Sequence, residues 1–313
     1  LELRSGICCV EDSDASDINS LLDRANMALK TIKVKGAAQW KFYDNTMRDK
    51  LLREKDLEIR MEKALADGEF LVYIQPKYWV GTRALAGGEA LVRWKSSDQG
   101  FLSPGEFIPL FEKNRFIVKL DQFMFTSVCG LLRQWLDAGI EPRPLSVNVS
   151  RMQFHTPDFV ERYIRIKSQY AIPDGLLELE FTESIFFDNV ALLSSAVHEL
   201  RRAGIKCSID DFGAGYSSLN VLKALPVSVL KLDGMFFRTA KDDEQAKIVI
   251  RNIMRMAGEL KMATVAEGVE THEQVAFLET TGCDIIQGYV FARPMPAAEF
   301  TELLAGEGGH AER

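Results

Sequence analysis

The chain lacks any paired cysteine motif. Its five cysteines, Cys8, Cys9, Cys129, Cys207 and Cys283, are odd in number and none stands in CxxC spacing. That pattern excludes a disulfide framework and a zinc ribbon as organising features. A reduced, cytoplasmic setting fits best, with Cys207 and Cys283 as small buried hydrophobes beside apolar runs. Histidine is scarce as well: His155, His198, His272 and His310 form no HxH or HxxxH pair, so no imidazole-based metal site is expected. No apolar run approaches the roughly 18 residues of a membrane span, and no signal-peptide pattern follows Leu1. Positive charge is in deficit, with 38 Lys and Arg against 45 Asp and Glu, a net charge of −7 and a pI near 5.3. This argues against a surface built to hold polymeric nucleic acid or anionic lipid. A small phosphorylated ligand stays compatible if metal ions supply the missing positive charge. The chain opens at Leu1, in what reads as mid-fold, and is expected to be a piece of a longer protein, whose remainder can carry a membrane anchor.

What is present is an ordinary globular composition, 47% hydrophobic and 27% charged over 313 residues, enough for one large core and a smaller appendage. The appendage comes first. Residues 3–10 read as a strand, 16–33 as an amphipathic helix and 40–43 as a second strand, too few elements to bury a core of their own. Residues 45–67 read as a charged helix with a broken apolar stripe, either packed on its own domain or connecting two domains. After Gly68 strand-like and helical runs alternate. The strands are expected at 70–76, 88–94, 144–149, 176–182, 205–210, 227–232, 263–267 and 284–289. Helices are expected at 104–112, 119–138, 158–168, 190–203, 219–225, 244–260 and 271–280. Eight strands with intervening helices in about 245 residues match a (β/α)₈ barrel, with a doubly wound open sheet as the rival.

In such barrels chemistry collects where strands end. The first run offers Gln75 there. The second offers Glu89, Leu91 and Arg93, which the two-residue strand period places on one face. The third gives Asn148, flanked by Ser146 and Ser150. The fourth gives Glu178 and Glu180 with Glu183 beyond, and the fifth Asp210 and Asp211. Lys231 and Asp233, Glu267 and Glu270, and Gln287 complete the circuit. Asp-Asp before Gly213 is also good turn and N-cap chemistry, and a single acid of this kind more often makes a structural hydrogen bond than a site. Many in register at one rim are different, because clustered carboxylates repel one another unless cations neutralise them, and one lysine does not suffice. Ligands that are all oxygen point to Mg²⁺ or Mn²⁺ before zinc, with Ca²⁺ as a non-productive occupant. Asp210 followed by Asp211 suits two ions sharing a carboxylate, an arrangement that recurs in phosphodiester hydrolysis.

Several stretches together carry a resemblance: Gln75-Pro76, Gly88-Glu89-Ala90-Leu91-Val92-Arg93-Trp94, Phe107-Ile108-Pro109, Ser146-Val147-Asn148, Glu180-Phe181-Thr182-Glu183-Ser184, Asp210-Asp211-Phe212-Gly213-Ala214-Gly215-Tyr216-Ser217-Ser218-Leu219, Lys231-Leu232-Asp233, Ala266-Glu267-Gly268-Val269-Glu270-Thr271 and Gln287-Gly288-Tyr289. Over residues 65–296 the chain resembles the EAL-type cyclic-di-GMP phosphodiesterases, and residues 1–44 resemble the C-terminal tail of a GGDEF domain without its cyclase signature. The resemblance implies a barrel whose first strand runs antiparallel, and hydrolysis of cyclic-di-GMP to linear pGpG. It implies that Glu89, Asn148, Glu180 and Asp210 hold a first Mg²⁺ or Mn²⁺, and that Asp210, Asp211 and Glu267 hold a second. Lys231 would orient water or phosphate, Glu267 would share in deprotonation, and Glu183 would tether the loop 211–219. Gln75, Arg93 and Gln287 would contact the dinucleotide, and a homodimer is implied. The departures from the family pattern are Asn26, Lys30, Ile74 (where Tyr is usual), Gly88 (Ala), Arg115 (Gly) and Ser228 (Asp). Ile74 is expected to alter ligand affinity, and Ser228 packing or the dimer surface. Two other readings stay open: a receptor that binds cyclic-di-GMP without cutting it, and a barrel enzyme that holds an enolate on Mg²⁺.

Overall fold

The computed structural model describes residues 3–10, 17–32, 39–183, 185, 190–213, 226–239 and 243–308. The chain divides into two compact units, Leu1–Asp67 and Gly68–Arg313. In the first, β1 (Ser5–Ile7) and β2 (Trp40–Phe42) pair in parallel, with α1 (Ile18–Lys30) between them and α2 (Asn45–Ala66) after them. Each helix starts where an aspartate caps it: Asp17 accepts from the Asn19 and Ser20 amides, and Asp44 from the Met47 amide. Among the described residues of this unit only Ala28, Met47, Leu57 and Ala64 are buried, as expected of so few elements.

The second unit is a closed barrel. Its staves are β3 (Phe70–Trp79), β4 (Leu85–Ser96), β6 (Leu145–Asn148), β7 (Leu177–Thr182), β8 (Lys206–Phe212), β9 (Val229–Leu232), β10 (Ala263–Ala266) and β11 (Ile285–Gln287). All neighbours are parallel except β3, which runs antiparallel to both β4 and β11. The closed ring excludes the doubly wound sheet. Two short strands, β5 (Gly100–Leu102) and β12 (Met295–Pro296), extend the sheet on β4 and β3 and were not expected. The helix expected at 219–225 lies outside the described residues.

Strand alternation explains which side chains enter the barrel. In β7, Leu177, Leu179 and Phe181 join the main hydrophobic core, while Glu178 and Glu180 take the opposite face and are still buried. α4 (Ile117–Asp137) packs outside with a stripe at helical spacing, Leu120, Met124, Val128, Leu132 and Trp135. Phe70, Trp94, Phe107 and Phe111 stack with ring centroids 4.9–6.1 Å apart and close the β3–β4 end beneath α3 (Pro104–Lys113).

Two local departures from regular strand shape the rim. The first is Pro76, which reads as the end of a strand because proline has no N–H for a ladder. β3 nevertheless continues to Trp79. β11 pairs with it only as far as Lys77, and the pairing with β12 begins at Ile74, so Pro76 lies opposite the gap between them, where a missing donor costs least. The second is a bulge in β8: Ile209 pairs with Leu230 but Phe212 with Leu232, leaving one extra residue on β8. Asp211 absorbs it in the left-handed region at φ +53°, which aspartate tolerates better than most residues, and Gly213 follows at φ +93°. In an unbroken strand Asp210 and Asp211 would point to opposite faces. The bulge lets both reach the rim.

Candidate active site

Lys231 is fully buried, and its Nζ lies 2.5 Å from Glu180 Oε2, 2.6 Å from Glu267 Oε1, 3.0 Å from Asp210 Oδ1 and 3.6 Å from Glu89 Oε2. Four strands and the turn after β10 thus deliver one cation and four carboxylates to a single point. Amides join the network: Asn148 Nδ2 donates to Glu89 Oε1 at 2.6 Å, and Gln287 Nε2 donates to Glu89 Oε2 at 2.6 Å and to Gln75 Oε1 at 3.1 Å. Asp210, Asp211 and Glu267 each place an oxygen within 4.8 Å of the other two.

Arg93 and Glu183, also singled out in the sequence, stand apart from this network. Arg93 donates to the Val92 carbonyl, stacks over Tyr73 and lines a cavity of about 200 Å³ beside Asn148. Glu183 Oε2 accepts from the Gly213 amide at 3.3 Å, so it holds the start of the loop after β8; the rest of that loop lies outside the described residues. Ile74 does not reach the ligand side. It is fully buried, and its Cγ2 together with Phe300 fills the space a Cβ at residue 88 would need, which corrects the expectation that it tunes affinity and explains why glycine stands at 88. Arg115 adopts φ +66°, the backbone region that favours the glycine usual there.

Three supporting residues were missed in the sequence. Lys77 follows Pro76, and the expected strand stopped before it; its Nζ donates to Glu180 Oε1 at 2.9 Å and to Ser146 Oγ at 2.7 Å. The two-residue period from Gln75 to Lys77 was the available signal. Asp121 is buried on the apolar stripe of α4, between Ile117 and Met124, and accepts from the Ser150 amide at 3.0 Å and Gln153 Nε2 at 3.2 Å. Burial pushes its carboxyl up to about 7 despite those bonds. Glu112 accepts from Ser150 Oγ at 2.9 Å, so Asp121 and Glu112 together hold the turn that follows Asn148.

The electrostatics separate the carboxyls. Burial would raise Glu180, but the Lys231 and Lys77 ammonium groups overcome it and hold the carboxyl down to about 2. Burial raises Glu89 and pushes Glu267 well above the usual carboxylate range, with repulsion from the neighbouring acids adding to both. Asp211 is raised to about 6 by burial and then by Asp210 and Asp233. Lys231 is raised despite its burial, because Asp210, Glu180 and Glu267 surround it. Five carboxyls against two lysines, with no sulfur or imidazole ligand in the group, suit a hard divalent cation.

A closed barrel with an acid cluster at the carboxyl ends of its strands is the class the geometry defines. The EAL domain model matches residues 59–294, and the chain belongs to the EAL domain family. It is 32% identical over 292 residues to the bifunctional diguanylate cyclase/cyclic-di-GMP phosphodiesterase MucR of Pseudomonas aeruginosa, covering 93% of this chain and 43% of MucR. It is 34% identical over 292 residues to the cyclic-di-GMP phosphodiesterase NbdA of the same organism, covering 93% of this chain and 37% of NbdA. The chain therefore spans less than half the length of these curated relatives. Among solved structures, the PaMucR phosphodiesterase in complex with cyclic-di-GMP superposes with a TM-score of 0.74 at 35% identity, covering 78% of this chain and 99% of that one.

Proposed function

We propose that the chain hydrolyses cyclic-di-GMP to linear pGpG with one or two Mg²⁺ or Mn²⁺ ions. The observation that carries the proposal is the meeting of Asp210, Asp211 and Glu267 oxygens within 4.8 Å beside a lysine already shared by four acids, in a family with named cyclic-di-GMP phosphodiesterases. Glu89, Asn148, Glu180 and Asp210 would hold a first ion, and Asp210, Asp211 and Glu267 a second. Bound there, such ions lower the pKa of water from about 15.7 toward 7 and stabilise charge on phosphate oxygens. Lys231 orients the reacting phosphate or water. Glu267, whose buried carboxyl takes up a proton more readily than a free one, suits proton acceptance. Gln75, Arg93 and Gln287 contact the dinucleotide, Arg93 from the cavity beside Asn148. Glu183 couples the loop after Asp211 to the rim. Ca²⁺ acts as an inhibitor at the same oxygens.

The N-terminal unit is, on this reading, the end of a GGDEF-like domain, and α2 connects it to the barrel. The match to MucR, whose name includes diguanylate cyclase activity, runs over 93% of this chain and supports that assignment. The active form is a homodimer in the cytoplasm. No helix among the described residues is long and apolar enough to cross a membrane.

The test is turnover of cyclic-di-GMP by purified protein with Mn²⁺, read as pGpG by chromatography. Glu89→Ala and Asp210→Ala should each abolish it. Absence of linear product at high enzyme concentration, or full activity in either variant, refutes the proposal.

A further inference from the structure

Lys77 is a buried ammonium that the proposed chemistry does not use. Its two hydrogen bonds go to Glu180 Oε1 and Ser146 Oγ, and Ser146 precedes Asn148 by one inward-facing position on β6, so the head of Lys77 sits one layer deeper in the barrel than Asn148. The other oxygen of the same carboxylate, Glu180 Oε2, faces Lys231 and the remaining acids. The two lysines thus divide one carboxylate between them: one oxygen is fixed from the interior, and one is turned toward the group that would hold a cation.

We infer that Lys77 is a positioning residue that leaves Glu180 a single oxygen to offer, and that it thereby biases the site toward Mg²⁺ and Mn²⁺ over Ca²⁺. The inference rests on the cation site proposed above. Ca²⁺ gathers six to eight oxygens at about 2.3–2.6 Å and commonly takes carboxylates through both oxygens, whereas Mg²⁺ demands a tight octahedron at about 2.0–2.1 Å. For Glu180 to chelate through both oxygens, a cation would have to share Oε1 with the Lys77 ammonium or displace it, and a displaced Lys77 would keep only the Ser146 hydroxyl as a hydrogen-bond partner beside the buried Glu178. That penalty falls on the two-oxygen mode and spares the one-oxygen mode. It discriminates between ions without touching either.

The experiment measures Mn²⁺ bound to the purified chain by electron paramagnetic resonance and displaces it with Mg²⁺ or Ca²⁺, giving the ratio of their dissociation constants. In Lys77→Met the ratio should move toward Ca²⁺ by about tenfold, the lower end of what residues supporting metal ligands control. Lys77 also faces the buried Glu178, so a double variant with Glu178→Gln removes one charge of each sign and should show the same shift. Ser146→Ala keeps both charges, loosens the second anchor and should shift the ratio in the same direction by less. Circular dichroism identifies the folded variants. A merely structural lysine would weaken both ions together, so an unchanged ratio in the folded variants, with Mn²⁺ binding intact in the unaltered chain, overturns the role of Lys77 and leaves the cation site standing. Failure of the unaltered chain to bind Mn²⁺ overturns the cation site, and this inference with it.

Discussion

Replacing Gly88 by alanine tests whether the β3–β4 register, and with it the position of Glu89, is locked by packing. A Cβ at residue 88 would lie 3.2 Å from Phe300 Cε2 and Cζ and closer still, well inside van der Waals contact, to Ile74 Cγ2. Neither neighbour has room to withdraw, since both are fully buried. The backbone is held as well: Gly88 pairs with Pro76, and its amide donates to the Pro144 carbonyl at 3.0 Å. Overpacking of this kind costs about 1–3 kcal/mol. For a domain of this size that is a fall in melting temperature of about 2–12 °C. The strain emerges next door, at Glu89, whose two oxygens accept from Asn148 and Gln287 at 2.6 Å each. Turnover should therefore fall with stability. Ile74→Leu moves the branch from Cβ to Cγ and clears the contact, at a cost of less than about 1.5 kcal/mol alone. The double variant should melt above the sum of the single effects, by a coupling of about 0.5–3 kcal/mol. Thermal melts followed by circular dichroism decide it. Gly88→Ala melting at or above the unaltered chain, or strict additivity in the double variant, refutes the reasoning.

Arg115→Gly should raise the melting temperature slightly, because relief of the left-handed arginine, about 1–2 kcal/mol, exceeds the entropy glycine adds to the unfolded chain, about 0.4–1 kcal/mol; a lower melting temperature counts against it. Without metal, stability should fall as pH rises from about 4 to about 6. Asp211 is raised in the folded state, so its contribution is present while it is protonated and is lost as it ionises, with solvent screening softening the effect at this partly exposed group. Glu180 has the opposite sign, and its contribution is lost only on acidification toward about 2. Melts across pH 4–7 with and without Mn²⁺ check this, and a slope that Mn²⁺ leaves unchanged would contradict it. Iodoacetamide at pH 8 should label Cys8 and Cys9 and spare Cys129, Cys207 and Cys283, which are buried and whose thiols burial pushes far up, to about 12 for Cys129 and Cys283. Mass spectrometry of the native protein reads the outcome.

Most of the barrel was legible because its signal is local. Runs such as Leu177-Glu178-Leu179-Glu180-Phe181 alternate with the period of a strand, and each acid stands out against an apolar background. Where the structure departed, the cause was longer-range. Proline is a sound stop signal on its own chain, and only the gap between β11 and β12 makes Pro76 tolerable, which is why Lys77 went unseen. The antiparallel direction of β3 leaves no trace in side-chain alternation and came from the resemblance alone. Asp121 stands on the apolar stripe of α4, four residues after Ile117 and three before Met124, so a charge on that face was the signal available, and only the turn after β6 reveals what it holds. The strand period already puts Ile74 on the face opposite Gln75, but what it packs against there shows only when Gly88 and Phe300 are set beside it.

The bulge in β8 has a mechanical consequence. Most ligand candidates ride on different staves, so their separations change whenever the barrel flexes. Asp210 and Asp211 share one stretch of backbone, and their spacing is governed by the dihedral angles of adjacent residues. A stress that spreads the rim would pull Glu89, Glu180 and Glu267 apart before it altered that pair. The two aspartates act as a fixed calliper against which the other ligands can be moved.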